Sequence, residues 1–269
     1  MSLTLKNNAD VIIQSRAKGI FILKISIITV TYNCESDIQN CLNSLAGQSY
    51  QNIEHIVIDG GSTDHTLAIL KMNLSKISKL ISEPDSGIYD ALNKGFHFAT
   101  GDVIGILHSD DSYYDSDVLS QVAYQFNNFN PDYVYGDIEM VKFSGGVARY
   151  WKSGHLVEGR ITFSQIPHPS IFLSRKLVDR LNPFFDSSYE IAADLKQQLF
   201  FVNILKAKGS YIEAPFVRMR LGGKSTASIA SYAKGWSESR RAWNEVHGRG
   251  GLLYVFKKVL LKVKGLRFK

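Results

Sequence analysis

Between Lys24 and Phe129, short apolar runs rich in β-branched residues alternate with stretches whose apolar positions recur every three or four residues. Ile25-Ser26-Ile27-Ile28-Thr29-Val30 has the character of a buried strand. Ile38, Cys41, Leu42 and Leu45 then fall at i, i+3, i+4 and i+7, which predicts a helix closed by Gly47. Ile53 to Ile58 reads as a second strand and the segment from about Thr63 to Met72 as a second helix. Lys79 to Ser82 is a brief third strand. Ile88, Ala91, Leu92, Gly95 and Ala99 mark a third helix, Val103 to Leu107 a fourth strand, and Val118, Leu119, Val122, Ala123 and Phe126 a fourth helix. Such β-α-β alternation predicts an α/β fold, a mostly parallel sheet with helices on both faces. Ligands then bind outside the carboxyl ends of the strands. Beyond Tyr133 the alternation blurs into an α+β second half expected to complete the cleft.

The C-terminal region has a different pattern. A helix is expected over Ile229 to Val246, and a second in the tail, where Leu252, Val255, Phe256, Val259, Leu260 and Val263 form one stripe. Lys257, Lys258 and Lys264 lie mostly on the opposite side of that helix. The expected organisation is an N-terminal extension (1–23), a main domain (24–227) and a helical extension (228–269). No Pro/Gly/Ser-rich break separates them into freely jointed units.

Charge sharpens this division. The 269-residue chain carries 31 basic and 25 acidic residues, a formal net charge of +6. Six of the basic residues lie in 250–269, which holds no acid; setting them aside leaves 25 basic against 25 acidic residues. The body is therefore neutral and offers no basic groove for nucleic acid. A basic amphipathic tail instead suits an anionic membrane surface, with packing on the domain or on a second subunit as the alternative. No apolar run reaches the ~20 residues that span a bilayer, and the N-terminus lacks a signal-peptide pattern. Two cysteines, Cys34 and Cys41, make no disulfide framework and no zinc motif. A cytoplasmic, membrane-peripheral location is expected.

The four strand ends carry Thr31-Tyr32-Asn33, Asp59-Gly60-Gly61-Ser62-Thr63-Asp64, Asp85-Ser86-Gly87 and Ser109-Asp110-Asp111, and the topology gathers them on one rim. Singly, each is an ordinary turn, with Ser62 or Thr63, and later Asp115 or Ser116, able to cap the next helix. Together, crowded carboxylates repel unless a cation sits among them. Asp110-Asp111 suits Mg²⁺ or Mn²⁺ that keeps several waters and bridges to substrate phosphates. Neither the G-x-G-x-x-G nor the G-x-x-x-x-G-K-[ST] fingerprint is present. Tyr32 offers an aromatic edge to a base, and Asp59 an acceptor to a ribose hydroxyl or base N–H.

Ile27-Ile28-Thr29-Val30-Thr31-Tyr32-Asn33, Ile58-Asp59-Gly60-Gly61-Ser62-Thr63-Asp64 and Ser109-Asp110-Asp111 resemble glycosyltransferase family 2, over roughly Lys24 to Ser225. The resemblance implies a GT-A fold that binds a nucleoside-diphosphate sugar, with UDP as the family-level expectation, and transfers the sugar with inversion. The stretch Glu83-Pro84-Asp85-Ser86-Gly87-Ile88-Tyr89-Asp90-Ala91-Leu92-Asn93-Lys94-Gly95 is similar to the bacterial surface-polysaccharide branch, where the acceptor is a glycan or polyprenyl-linked sugar. By the same resemblance Thr31, Tyr32 and Asp59 hold the nucleoside. Asp90, Asn93 and Lys94 open a helix facing the cleft and reach the ribose or diphosphate. Asp111 is the direct metal ligand, and Asp110 orients ribose or water. Asp194, in Tyr189-Glu190-Ile191-Ala192-Ala193-Asp194-Leu195, matches the catalytic base, and His168 a polar position beneath the acceptor.

Two departures stand out. Gly60 replaces a second Asp common in the family, and Ala193 replaces an acid that often precedes the base. Glu190 would then be the acidic companion of Asp194, four residues upstream on one helix face. Leu221-Gly222-Gly223-Lys224-Ser225-Thr226 reads as a lid over donor and metal, or as a plain glycine turn. Competing functions are a sugar nucleotidyltransferase, for which Tyr32-Asn33-Cys34-Glu35 lacks the Gly-rich basic loop, and a non-catalytic glycan- or nucleotide-binding protein.

Overall fold

The computed structural model describes residues 22–142, 145–163, 165–222 and 229–267. Most of the expected N-terminal extension lies outside them. β1 (Ile25–Thr31) is buried along its whole length. It pairs in parallel with β2 (Ile53–Asp59) on one side and with β4 (Val103–Ile106) on the other, and β3 (Lys79–Ser82) adds to β2. The pleat of β1 divides the core. Ile28 and Val30 pack with Tyr89, Leu92 and Phe96 of α3 (Ile88–Phe98). Ile25 and Ile27 face the other way, toward Cys41 and Leu45 of α1 (Ile38–Ala46) and Val118, Leu119 and Val122 of α4 (Val118–Phe129). A strand covered on both faces has no solvent side to show, and its polar members are accommodated inside: Ser26 donates to Glu54 and Thr29 bonds the His55 ring.

The remaining strands turn the sheet from parallel to mixed. In chain order they are β5 (Ser112–Tyr113), β6 (Tyr133–Val141), β7 (Val147–Trp151), β8 (Ile171–Ser174) and β9 (Gly209–Arg220). Among the described residues the sheet has nine strands, in the order β3-β2-β1-β4-β8-β6-β9-β5, with β7 also on β6. β8 runs antiparallel to β4, with Phe172 opposite Gly105. Its N-terminal lead-in therefore arrives at the rim that β4 leaves. β9 runs parallel to β6, so Arg220 ends on the same rim.

Helices on the second half close the cleft. The short α5 (Arg175–Val178) follows β8, α6 (Ala193–Gln198) widens into a π-helical turn over Leu199–Ile204, α7 (Ile229–His247) packs beside that turn, and α8 (Gly251–Arg267) packs on α7. Two local features depart from the sequence expectation. The helix after β2, α2, spans Thr66–Met72 rather than starting at Thr63, because Asp64 accepts the Thr66 N–H at 2.9 Å and holds the preceding residues in a loop. Glu190 lies ahead of α6, not on it, and its carboxylate pairs with Lys234 instead of accompanying Asp194.

Two predictions follow from this packing. A Cβ at Gly105 would stand 2.6 Å from the Phe172 ring, so Gly105→Ala overpacks the β4–β8 pair. It should cost about 1–3 kcal/mol, read as a lower urea midpoint with an unchanged slope. His55, 3% exposed on β2, has Nε2 3.0 Å from Thr29 Oγ1. Burial pushes its pKa down from 6.5 to about 4, so the unfolded chain binds the extra proton in that window. Stability should therefore fall as pH drops from 6.5 toward 4, by roughly 1 kcal/mol per pH unit, and His55→Asn should flatten the slope.

Candidate active site

The loops after β1 and β2 are stitched together before any ligand is considered. Asn33, at φ 48°, donates its N–H to Ser62 Oγ at 2.9 Å and accepts the Thr63 N–H at 2.8 Å. Cys34 N–H donates to Thr66 Oγ1 at 2.7 Å, and His65 N–H to Glu35 at 2.8 Å. Asp59 is fully buried. Its carboxylate accepts the Ser62 N–H and hydroxyl and, at 2.7 Å, the Ser82 hydroxyl. Its protein partners thus come from the loop after β2 and from the end of β3, and its first role in the fold is to tie them.

Two groups on this rim remain available. Thr31 Oγ1 is buried with no hydrogen-bond partner among the described residues, an unmade bond that a ligand hydroxyl or carbonyl would satisfy. Tyr32 is 62% exposed beside it. The glycine at position 60 has a local explanation. Its missing side chain leaves room for the Asp85 carboxylate, which overlaps the place a Cβ would take, with the Tyr32 ring next to it. Asp85 also accepts the Gly87 N–H at 2.8 Å. An acid therefore stands close to where a second Asp would point, supplied from the neighbouring loop.

Asp110 is exposed and Asp111 is 3% exposed. The Arg220 N–H donates to Asp111 Oδ1 at 3.2 Å, while the Arg220 guanidinium pairs with Asp37. Burial, and then the charge of Asp110, push the Asp111 carboxyl well above the usual carboxylate range. A buried acid beside a second acid gains from a cation. The chemistry of the donor set, two neighbouring carboxylates of which one is exposed, fits a hard cation such as Mg²⁺ or Mn²⁺. Among the described residues there is no group of three or more His, Cys, Asp and Glu side chains placed to hold a metal alone.

Across the cleft, Asp194 sits in the first turn of α6 and is 7% exposed. Gln165 Nε2 donates to its Oδ2 at 2.9 Å, and His168 Nδ1 lies 3.5 Å away. Burial alone would raise this carboxyl. The His168 hydrogen bond and charge, the Leu195 N–H and the Lys258 charge outweigh it and hold the carboxyl below the usual range. The other nitrogen of His168 is 2.7 Å from His108 Nε2. His108 immediately follows Leu107 and precedes Ser109-Asp110-Asp111, so one imidazole pair links the acidic loop to Asp194. His108 is not among the residues that the sequence motifs single out. Its place on the Ser109-Asp110-Asp111 loop was the available signal, but only the arrival of β8 gives it a partner.

The remaining expected residues are dispersed. Lys94 pairs with Glu83 at 2.9 Å and Asp90 at 3.6 Å, and Asp90 accepts the Ser86 N–H at 3.1 Å. These two brace the loop that presents Asp85. Asn93 does not join the rim. Its amide spans the Phe185 backbone, donating to the carbonyl and accepting the N–H at 2.8 Å each, and it lines a separate cleft with Phe96, Arg175 and Phe184. The start of α6 is organised by a residue the sequence did not single out. Glu238 of α7 accepts the N–H groups of Glu190, Ile191 and Ala192. Of the expected lid, Gly223 to Thr226 lie outside the described residues.

The family profile described as Glycosyl transferase family 2 matches residues 26–195. A PGL/p-HBAD biosynthesis glycosyltransferase of Mycobacterium tuberculosis is 36% identical over 176 residues, covering 63% of this chain and 66% of that relative. The chain thus spans just under two thirds of the curated relatives it matches first. An uncharacterized glycosyltransferase of Haemophilus influenzae is 28% identical over 228 residues, 77% of this chain and 68% of its own. Among solved structures, S. aureus TarS in complex with UDP-GlcNAc superposes with a TM-score of 0.63 at 20% identity, over 82% of this chain and 65% of that one. The mannosyltransferase PcManGT from Pyrobaculum calidifontis, in complex with GDP-Man and Mn²⁺, gives 0.63 at 15% identity over 90% and 72%. These two establish the likeness of fold, a GT-A type α/β architecture.

Proposed function

The chain belongs to glycosyl transferase family 2, and on that premise we propose that it is an inverting, metal-dependent glycosyltransferase. It moves a sugar from a nucleoside diphosphate, UDP by family expectation, to a hydroxyl of a glycan or polyprenyl-linked acceptor in bacterial surface-polysaccharide synthesis. The observation that carries this reading is the 2.7 Å His108–His168 contact, which joins the acidic rim of the donor side to the buried carboxylate of the acceptor side. The sugar–nucleotide and curated-relative comparisons support it.

In this reading the donor nucleoside lies against Tyr32, with the orphaned Thr31 hydroxyl and the Asp85 carboxylate toward its polar edges. Asp59 holds Ser62, which in turn accepts the Asn33 N–H and so steadies the loop that follows Thr31 and Tyr32. Asp111, with Asp110 beside it, would hold a divalent cation, whose chemistry there would be to supply positive charge toward the diphosphate leaving group. The acceptor hydroxyl enters beside Asp194. Its oxygen bonds to the anomeric carbon as the carbon–diphosphate bond breaks, and its proton passes to the Asp194 carboxylate. His168 and Gln165 orient that carboxylate and keep it ionised.

The tail adds a location. Leu252, Leu253, Phe256 and Leu260 are exposed on α8, and 250–269 carries six basic residues and no acid. That surface suits an anionic bilayer at the cytoplasmic face. Its lysines do not all oppose the stripe, since Lys257 lies 4.8 Å from the Phe163 ring and Lys258 bonds Gln165. Among the described residues no helix is long and apolar enough to cross a membrane.

A thermal-shift panel of UDP, GDP, dTDP and CMP, with and without Mn²⁺, tests the donor site. One nucleotide near a hundred times its Kd should stabilise the fold by roughly 2.7 kcal/mol. It should do so only with metal, and Asp111→Ala should abolish the shift. Asp194→Asn should retain the shift while lowering kcat by about 10²–10⁴. A wild type unmoved by every combination removes the reading. For the membrane, the intact chain should sediment with vesicles containing phosphatidylglycerol and not with pure phosphatidylcholine, and added salt should weaken it. The double variant Leu252→Ser, Phe256→Ser should stay in solution. It is preferable to truncation, because Tyr254 of the same helix is 1% exposed and stacked on Trp243. Failure of the intact chain to sediment removes membrane docking.

A further inference from the structure

The tail helix has an inner face as well as an outer one, and the inner face reaches Asp194. Lys258 Nζ donates to Gln165 Oε1 at 3.0 Å, and Gln165 Nε2 donates to Asp194 Oδ2 at 2.9 Å. A side-chain amide has a donor end and an acceptor end fixed in one plane. With the ammonium claiming the carbonyl end, the NH₂ end is the one left to face the carboxylate. Without it the amide is free to flip, and would then present oxygen to oxygen.

Both partners of the amide are themselves held. The stretch that carries Gln165 is pinned to the helix of Asp194: Ile166 exchanges two hydrogen bonds with Gln198, at 3.0 and 2.9 Å. Ile161, upstream, does the same with Asn203 of the π-helical turn, at 2.9 Å each. On the other side, α8 is anchored through Tyr254, whose ring stacks on Trp243 of α7 at 4.5 Å, and the Lys258 ammonium lies 5.7 Å from the Tyr254 ring. The chain of contacts therefore runs from α7 through α8 and Gln165 to Asp194.

We infer that α8 belongs to the active centre, with Lys258 acting through Gln165 as a positioning residue that fixes the Asp194 carboxylate. The inference rests on Asp194 being the base. It gives the tail a second purpose: the helix whose outer leucines and Phe256 are free to meet a surface is the one whose inner face orients the base. Groups facing Asp194 are His168, with His108 behind it, Tyr89 of α3, and Tyr254 and Lys258 of α8, and of these Lys258 is the cation that the tail contributes.

The test uses the full chain, carbon-13 labelled at aspartate carboxyls, with the Asp194 signal assigned by its loss in Asp194→Asn. Its titration midpoint should rise in Lys258→Met, return in Lys258→Arg, and stay in place in the neighbouring control Lys257→Met. In parallel, nucleotide release from UDP-N-acetylglucosamine, UDP-glucose and GDP-mannose with Mn²⁺ should fall about tenfold in kcat for Lys258→Met at unchanged donor KM, with Lys258→Arg restoring it. A midpoint that moves equally in Lys257→Met and Lys258→Met, or not at all, overturns the inference, as does unaltered turnover in Lys258→Met. The carboxyl signal reports the link without turnover. A moved midpoint together with full activity in Asp194→Asn would therefore refute the base assignment, and with it the catalytic role of α8, while leaving the contact standing.

Discussion

The short antiparallel pairing of β8 on β4 is the constraint on which the Asp194 side of the cleft depends. Phe172 lies over Gly105, where a side chain would collide with its ring. That close fit sets where β8 begins, and so where His168, three residues before β8, meets His108 at the exit of β4. A parallel strand in the same position would deliver its lead-in to the opposite edge of the sheet, some four residues or about 13 Å away. The reversal of strand direction is what converts a parallel half-sheet into a two-sided cleft.

Three aspartates illustrate how environment separates residues of one type. Asp59 is met by protein donors from the loop after β2 and from the end of β3, and its charge is spent on the fold. Asp111 is equally buried but has one backbone N–H and a like-charged neighbour, so its environment asks for a cation. Asp194 is buried beside an imidazole and an amide that favour its ionised form. The environments of Asp111 and Asp194 lie on a loop and on the first turn of a helix, joined by a pair of histidine rings rather than by backbone.

The helical layer formed by α7 and α8 is more than a cover. Glu238 receives three consecutive backbone N–H groups at the entrance to α6, satisfying donors that a buried helix start would otherwise leave unpaired. Glu245 accepts the Tyr189 hydroxyl at 2.9 Å and pairs with Lys196 at 2.6 Å. Through these contacts the segment beyond the matched family region holds the one that carries Asp194, and Lys258 extends the same support from the next helix.

Local pattern was enough to read the parallel half of the fold. The buried runs of β1, β2 and β4 and the spacing of Ile38, Cys41, Leu42 and Leu45 reflect contacts made by neighbouring elements, and periodicity records those directly. The motifs at the strand ends were legible for the same reason, since each lies next to its own strand. What tertiary structure alone decided involves partners far apart in the chain. His108 meets His168 sixty residues on, Asp85 enters the space that Gly60 leaves, Asn93 turns to Phe185, and Lys258 reaches toward Asp194 through Gln165. A side chain's spacing along the chain fixes which face of its own strand or helix it occupies. Which distant group stands opposite is set by strand direction and helix packing, and these emerge only when the whole core closes.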